Sequence, residues 1–237
     1  MGDMIYVIPT FKRRDNQKTL NTFLEVGISP ILVGNSKADI PEGFSNFTLF
    51  RGKGIRGKRQ FIYNKFSKEG KVMMMDDDLR FSKRLPNGKT TSDFDFRELL
   101  EECNELSDLH GISGTHPRFM WNRSPDRWKI IAKVGGVVVI NRDRIPNPEN
   151  LKYRLETSED HDFNLQLISQ GGTSAVTCMF SHAEKENAKG GCSEWRKDPS
   201  QDVDNLVRLW PGYVSKKSNG RPVIQFKKLW KDVNNET

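Results

Sequence analysis

The sequence predicts an α/β fold: a central sheet with parallel strands, flanked by helices, in one domain. Three observations carry this. Short apolar runs of strand length alternate with segments of helical periodicity through residue 75. The run "KVMMM" (Lys71–Met75) is apolar after its lysine, bounded by glycine and aspartates, as a buried strand would be. No internal repeat, low-complexity tract or clear linker divides the 237 residues, a length that suffices for a substantial core.

The elements follow in order. "MIYVI" is a first strand, ending at Pro9-Thr10. Asp15 is placed to cap a helix over "NQKTLNTFLEVG", with Leu20, Phe23 and Leu24 at helical spacing and Gly27 as the stop. "SPILVG" and "FTLF" are strands, "IRGKRQFIYNKFSKEG" a helix closed by Gly70, and "KVMMM" the next strand. Beyond the aspartates the alternation loosens. "DFDFRELLEECNELSDLHG" is a helix and "GGVVVI" a strand. "TSEDHDFNLQLISQGG" is a helix capped by Thr157 or Ser158 and stopped by Gly171-Gly172. "TSAVTCMF" is a strand, and the polar stretch from Ser181 to Asp198 is expected to be a mobile loop. A helix "SQDVDNLVRLW" and a strand "RPVIQF" close the pattern.

Composition narrows the class. Hydrophobic residues make up 35% of the chain, with 14 Phe and 5 Trp, as in a soluble globular protein. No apolar run approaches bilayer-spanning length, so no membrane partner is expected. The opening "MGDMIYVIPTF" has no basic n-region and carries Tyr6 where myristoylation needs Ser or Thr. Cys103, Cys178 and Cys192 form neither a disulfide framework nor a CxxC site, which suggests reduced thiols in a cytoplasm. Lys and Arg outnumber Asp and Glu 38 to 31, a formal charge of +7, which favours a polyanionic partner. The bases cluster in "RGKGIRGKR", in "HPRFMWNRSPDRWK" among aromatics, and in the tail at Lys216, Lys217, Arg221, Lys227, Lys228 and Lys231.

Asp76, Asp77 and Asp78 follow "KVMMM" directly, at the carboxyl end of a strand, where open α/β sheets bind ligands. Three adjacent carboxylates repel one another, so something positive is expected among them. A hard divalent cation, Mg²⁺ or Mn²⁺, held by two of them and bridging a diphosphate would satisfy this; a solvated acidic turn is the alternative. "SEDHDF" supplies Glu159, Asp160 and Asp162. These acids either complement the helix dipole or offer a carboxylate that takes a proton from a hydroxyl. His182, at a strand end, is either structural or a metal ligand through neutral imidazole. In "RGKGIRGKR", Arg56 and Arg59 lie one turn apart, either on a solvated face or aimed at phosphates.

Taken together, "VIPTFKRRDNQ", "GIRGKRQFIYNKF", "MMMDDDLRF", "SEDHDFNLQLISQGG" and "MFSH" resemble, in the expected order, the motifs of GT-A glycosyltransferases. Over the whole chain the resemblance is closest to the TET/JBP-associated glycosyltransferases of phages, which are thought to add sugars to 5-hydroxymethylpyrimidines in DNA. "IPTFKR", "KVMMMDDDLRF", "EDHDFNLQL" and "AKGGCSEWR" carry it. The resemblance implies a single Rossmann-like domain with a mixed central sheet, residues 1–80 binding a nucleotide sugar and 81–237 the acceptor. It implies that Pro9, Thr10, Arg13, Arg56, Arg59 and Asp77 line the donor site. Asp76, Asp78 and His182 would hold Mn²⁺ or Mg²⁺, and Asp160 would be the base. Glu159 and Asp162, with Trp121, Trp195 and Arg196, would contact the acceptor. The expected donor is a UDP-sugar and the partner DNA carrying 5-hydroxymethylcytosine or 5-hydroxymethyluracil, in the cytoplasm of a host cell if the gene is a phage's. The galactosyltransferase W-G-G before the acids is absent: "LETS" stands there. Three rivals remain at this stage: transfer to a glycan, protein or lipid acceptor, nucleotidyl transfer, and a non-catalytic nucleic-acid-binding module.

Overall fold

The computed structural model describes residues 4–117, 126–184 and 199–235. The first half alternates as its periodicities predict: β1 (Met4–Pro9), α1 (Lys18–Glu25), β2 (Ile31–Gly34), β3 (Phe47–Leu49), α2 (Gly54–Phe66) and β4 (Lys71–Met75). β1 lies between β2 and β4, and β2 pairs with β3, all parallel.

The second half turns the sheet mixed. It adds β5 (Arg80–Arg84), β6 (Thr90–Thr91), α3 (Phe96–Leu109), β7 (Ile112–Pro117), β8 (Trp128–Ile130), β9 (Val137–Ile140), α4 (Glu159–Ser169) and β10 (Ser174–Ala183). The sheet runs β3-β2-β1-β4-β9-β7-β10-β5-β6, with β8 on β10. β9 is antiparallel to both β4 and β7, while β7 and β10 are parallel. This is the Rossmann-like α/β architecture, with a mixed central sheet flanked by helices, that the resemblance implies, whereas the strand and helix alternation alone pointed to parallel strands.

"KVMMM" lacks polar alternation because both faces of the sheet are covered. Val72 and Met74 pack with Ile62, Tyr63 and Phe66 of α2. Met73 and Met75 point the other way, onto Phe23 of α1 and Leu99 and Cys103 of α3. The same division splits Val138 and Ile140 from Val137 and Val139 in β9.

A C-terminal layer follows: α5 (Pro199–Leu209), the hairpin β11 (Val214–Lys216) and β12 (Pro222–Ile224), and α6 (Phe226–Asn234). Leu206, Val214 and Leu229 pack on Leu165 and Ile168, the outer face of α4.

Several boundaries differ from expectation. Asp15 does not cap α1: Gln17 stands at the cap without a side-chain bond to the helix, its amide bonded to Thr10 instead. Ser158 stands at the N-cap of α4 as expected, but in a left-handed conformation and without a side-chain bond to the helix, while Thr157 is tied to Asp202 of α5. "RPVIQF" is split, Ile224 ending a strand and Phe226 opening a helix. The expected mobile loop begins as strand through Ala183, and residues 185–198 lie outside the described residues. Among the described residues no helix is long and apolar enough to cross a membrane.

Candidate active site

The positive charge that the three aspartates require comes from two arginines. Arg13, in the loop after β1, reaches Asp77 and Asp78, both at 2.6 Å. Arg59, from the inward face of α2, meets Asp76 at 2.8 Å and Glu159 of α4 at 2.9 Å. Thr10 adds a hydrogen bond to Asp77 at 2.8 Å, and Lys58 donates to the Thr10 carbonyl. Burial pushes the Asp77 carboxyl up to about 6, although Arg13 and Thr10 pull the other way. β4 thus delivers the carboxylates to one point, and neighbouring elements supply their counter-ions.

Asp160, next to Glu159 in α4, lines the same cavity as Asp76. Lys133, between β8 and β9, contacts it at 2.9 Å, and the His161 ring lies 3.3 Å away. Burial acts to raise the Asp160 carboxyl, but Lys133, His161 and Arg59 outweigh it and hold it below the usual range. Burial raises Glu159, with Arg59 only partly offsetting it. The two adjacent carboxyls are thus pushed in opposite directions, the pattern that separates acid and base roles in one site.

Two glycines make room for this arrangement. A Cβ at Gly135 would lie 2.5 Å from Oδ2 of Asp160, and one at Gly136 would lie 2.6 Å from Nε2 of His182. Gly136 also has φ +72°, a conformation side chains rarely adopt. Backbone strain gathers at the same place. Lys12 precedes Arg13, Ile131 lies two before Lys133 and Ser158 precedes Glu159, with φ of 53°, 54° and 61°. Such positions persist where the surroundings over-determine them, and that is common at functional sites. Asp39, accepting from the Lys12 amide at 2.8 Å, is one such restraint.

Asp76, Arg59, Lys133, Glu159 and Asp160 line one cavity of about 560 Å³. Glu184 borders it too. Lost hydration there, with the charges of Asp76 and Asp78, pushes the Glu184 carboxyl up. Asn219 to Pro222, from the β11–β12 hairpin, line it as well.

His182 sits at the end of β10, its Nδ1 2.6 Å from Thr115 Oγ1. Burial lowers it to about 4, so the ring is neutral. Two carboxylates and a neutral imidazole fixed through its other nitrogen have the donor chemistry of a hard-cation site. They do not close into one here. Among the described residues no three His, Cys, Asp or Glu side chains stand together so as to hold a metal ion, and Arg13 and Arg59 occupy the aspartates.

The other expected residues divide. Pro9 ends β1 in register with Val33, and Thr10 follows it into the Asp77 network. Arg56 does not join the aspartates but pairs with Glu156 at 2.9 Å on the surface. Asp162 is not brought to the cleft. It is wholly buried, bonded by Arg154, the Trp210 indole and Gln166. Trp121, Trp195 and Arg196 lie outside the described residues. Sequence reasoning missed Lys133, Gly135, Gly136, Thr115 and Glu184. The paired glycines before "VVVI" were the one available signal.

No curated protein matches the chain. A family model does: the family described as TET-Associated Glycosyltransferase matches residues 4–191, which include both acidic motifs, both arginines, Lys133, the paired glycines and His182. A cavity lined by carboxylates from the strand end and from α4 of a Rossmann-like sheet suits the chemistry in that description, and the chain belongs to the TET-associated glycosyltransferases.

Proposed function

We propose that this glycosyltransferase moves a sugar from a UDP-sugar to the hydroxyl of 5-hydroxymethylcytosine or 5-hydroxymethyluracil in DNA. The observation that carries the reading is the family match over a chain in which Asp76 and Asp160, from different elements, line the same cavity. The donor lies on the Asp76 side, near Thr10, Arg13 and Arg59. The nucleoside diphosphate competes there for guanidinium groups that already bind carboxylates, and arginine binds phosphate and carboxylate oxygens by the same paired geometry. Once a diphosphate draws Arg13 and Arg59 off the aspartates, Asp76, Asp78 and His182 would be freed to hold Mn²⁺ or Mg²⁺, which when bound would offset charge building on the leaving diphosphate.

Asp160 accepts the proton of the attacking hydroxymethyl group. Lys133 keeps it ionised and fixes its direction, so the carboxylate is ready before the acceptor arrives. Glu159, whose carboxyl burial raises, hydrogen-bonds the acceptor beside it. An acceptor base inside duplex DNA must leave the stack to reach this depth.

The test is incubation with 5-hydroxymethylcytosine and 5-hydroxymethyluracil DNA, Mn²⁺ and a panel of sugar nucleotides, followed by nucleoside mass spectrometry. A sugar-sized mass gain on a modified base, absent from plain DNA, is expected. No gain on any base with any donor discards the DNA acceptor, and release of pyrophosphate instead of a nucleoside diphosphate discards sugar transfer.

A further inference from the structure

We propose that the β11–β12 hairpin, through Lys217 and Arg221, grips the phosphate backbone of the acceptor strand and sets its target base over Asp160. This rests on the DNA reading above. The hairpin lies beyond residue 191, where the family match ends, yet Asn219 to Pro222 form a wall of the cavity that holds Asp160.

Its position is built in. Asp202 of α5 accepts from both the backbone amide and hydroxyl of Thr157, at 2.5 and 2.6 Å, two residues before Glu159. Trp210, at the end of α5, donates to Asp162 of α4 at 2.8 Å. Val214 of the hairpin is buried against the outer face of α4. Hairpin and base are therefore mounted on one helix.

Charge at the tip is not spent on the protein. Lys217 and Arg221 flank the three-residue turn Ser218-Asn219-Gly220, joined by a backbone bond of 2.9 Å from Lys217 to Arg221. Gly220, at φ +79°, allows the tight reversal. Both side chains are exposed, and among the described residues neither has an ion pair. Of the cavity's acids, Asp160 has Lys133, and Asp76 and Glu159 share Arg59, while Glu184 has no ion pair among the described residues. By contrast Lys216 is tied to Asp204 and Lys228 to the Gly212 carbonyl. Two exposed cations flanking a turn whose tip lines the base's cavity suit a strand whose phosphates fix its register without reading sequence.

The test compares Lys217→Gln/Arg221→Gln with Lys227→Gln/Lys231→Gln, which removes equal charge from α6, outside the cavity. Binding of an unmodified DNA duplex is followed by fluorescence anisotropy from low to moderate salt, with melting temperature as the folding check. The hairpin variant is expected to bind at least about tenfold more weakly and to lower the slope of log K against log salt by about 1.8, two phosphate contacts' worth. The α6 variant is expected to stay near wild type. Equal weakening in both variants, or none in the hairpin variant, overturns the proposal. If both the wild type and the hairpin variant transfer sugar to DNA with the same KM for DNA, the hairpin proposal alone falls. If the wild type transfers none to any DNA, the underlying acceptor reading falls with it.

Discussion

The Arg59 guanidinium stands 2.8 Å from Asp76 and turns its other nitrogen toward Glu159, so one buried cation joins the strand-end aspartates to the acidic start of α4. Removing it leaves two carboxylates uncompensated in a half-closed cleft. Arg59→Met is expected to lose about 3–5 kcal/mol of stability by urea denaturation, the usual cost of breaking a buried pair from one side. Arg59→Lys should recover only part, because an ammonium does not span two carboxylates as a fork does.

Gly135→Ala separates site geometry from folding. The added methyl meets only the far end of the Asp160 side chain and a lysine methylene, so the melting temperature should move little. Transfer should fall about a hundredfold as the base is displaced. Gly136→Ala carries a further penalty, of about 1 kcal/mol or more, from its positive φ. A Gly135→Ala enzyme of full activity would remove Asp160 from the reaction.

Asp160 and Asp162, two residues apart, should fail in different ways. Asp160→Asn should cut turnover by about 10²–10⁴ with the fold intact. Asp162→Ala should instead lower stability by about 3 kcal/mol, since it strips partners from Arg154, Gln166 and the Trp210 indole together. Thermal melting beside single-turnover kinetics tells them apart.

His161 gives a pH signature. Burial depresses its folded-state value to about 4, although Asp160 acts to raise it. A depressed value means that the stability is present above the unfolded histidine's usual ~6.5 and is lost as pH falls toward 4. Across that window unfolding should take up nearly one more proton in wild type than in His161→Gln. Urea denaturation at a series of pH values reads this as a steeper acid-side decline for wild type; parallel curves would contradict it.

The parallel half of the sheet and the aspartates at its edge were legible because β1, β2 and β4 carry uninterrupted apolar runs. β7 was not, because Ser113, Thr115 and His116 are buried polar residues with no hydrophobic period to report them. α6 was hidden by its lysines, though Phe226, Leu229 and Trp230 fall at helical spacing. At the site, the need for positive charge could be read locally, but not its source: Arg13 and Arg59 lie 64 and 17 residues from the carboxylates they bind. Asp162 misled because first-turn acids look alike in sequence, and only packing shows that it faces inward, toward Trp210.

The sharing of Leu165 and Ile168 between α4 and the C-terminal layer bears on how such enzymes are borrowed or trimmed. A fragment ending at residue 191 would unroof these side chains and take the indole from Asp162, loosening the helix that carries the base. The boundary of recognisable kinship and that of an autonomously stable unit therefore fall in different places, and chimaeras for swapping acceptor preference are better joined through the turn tip than across the α4 seam.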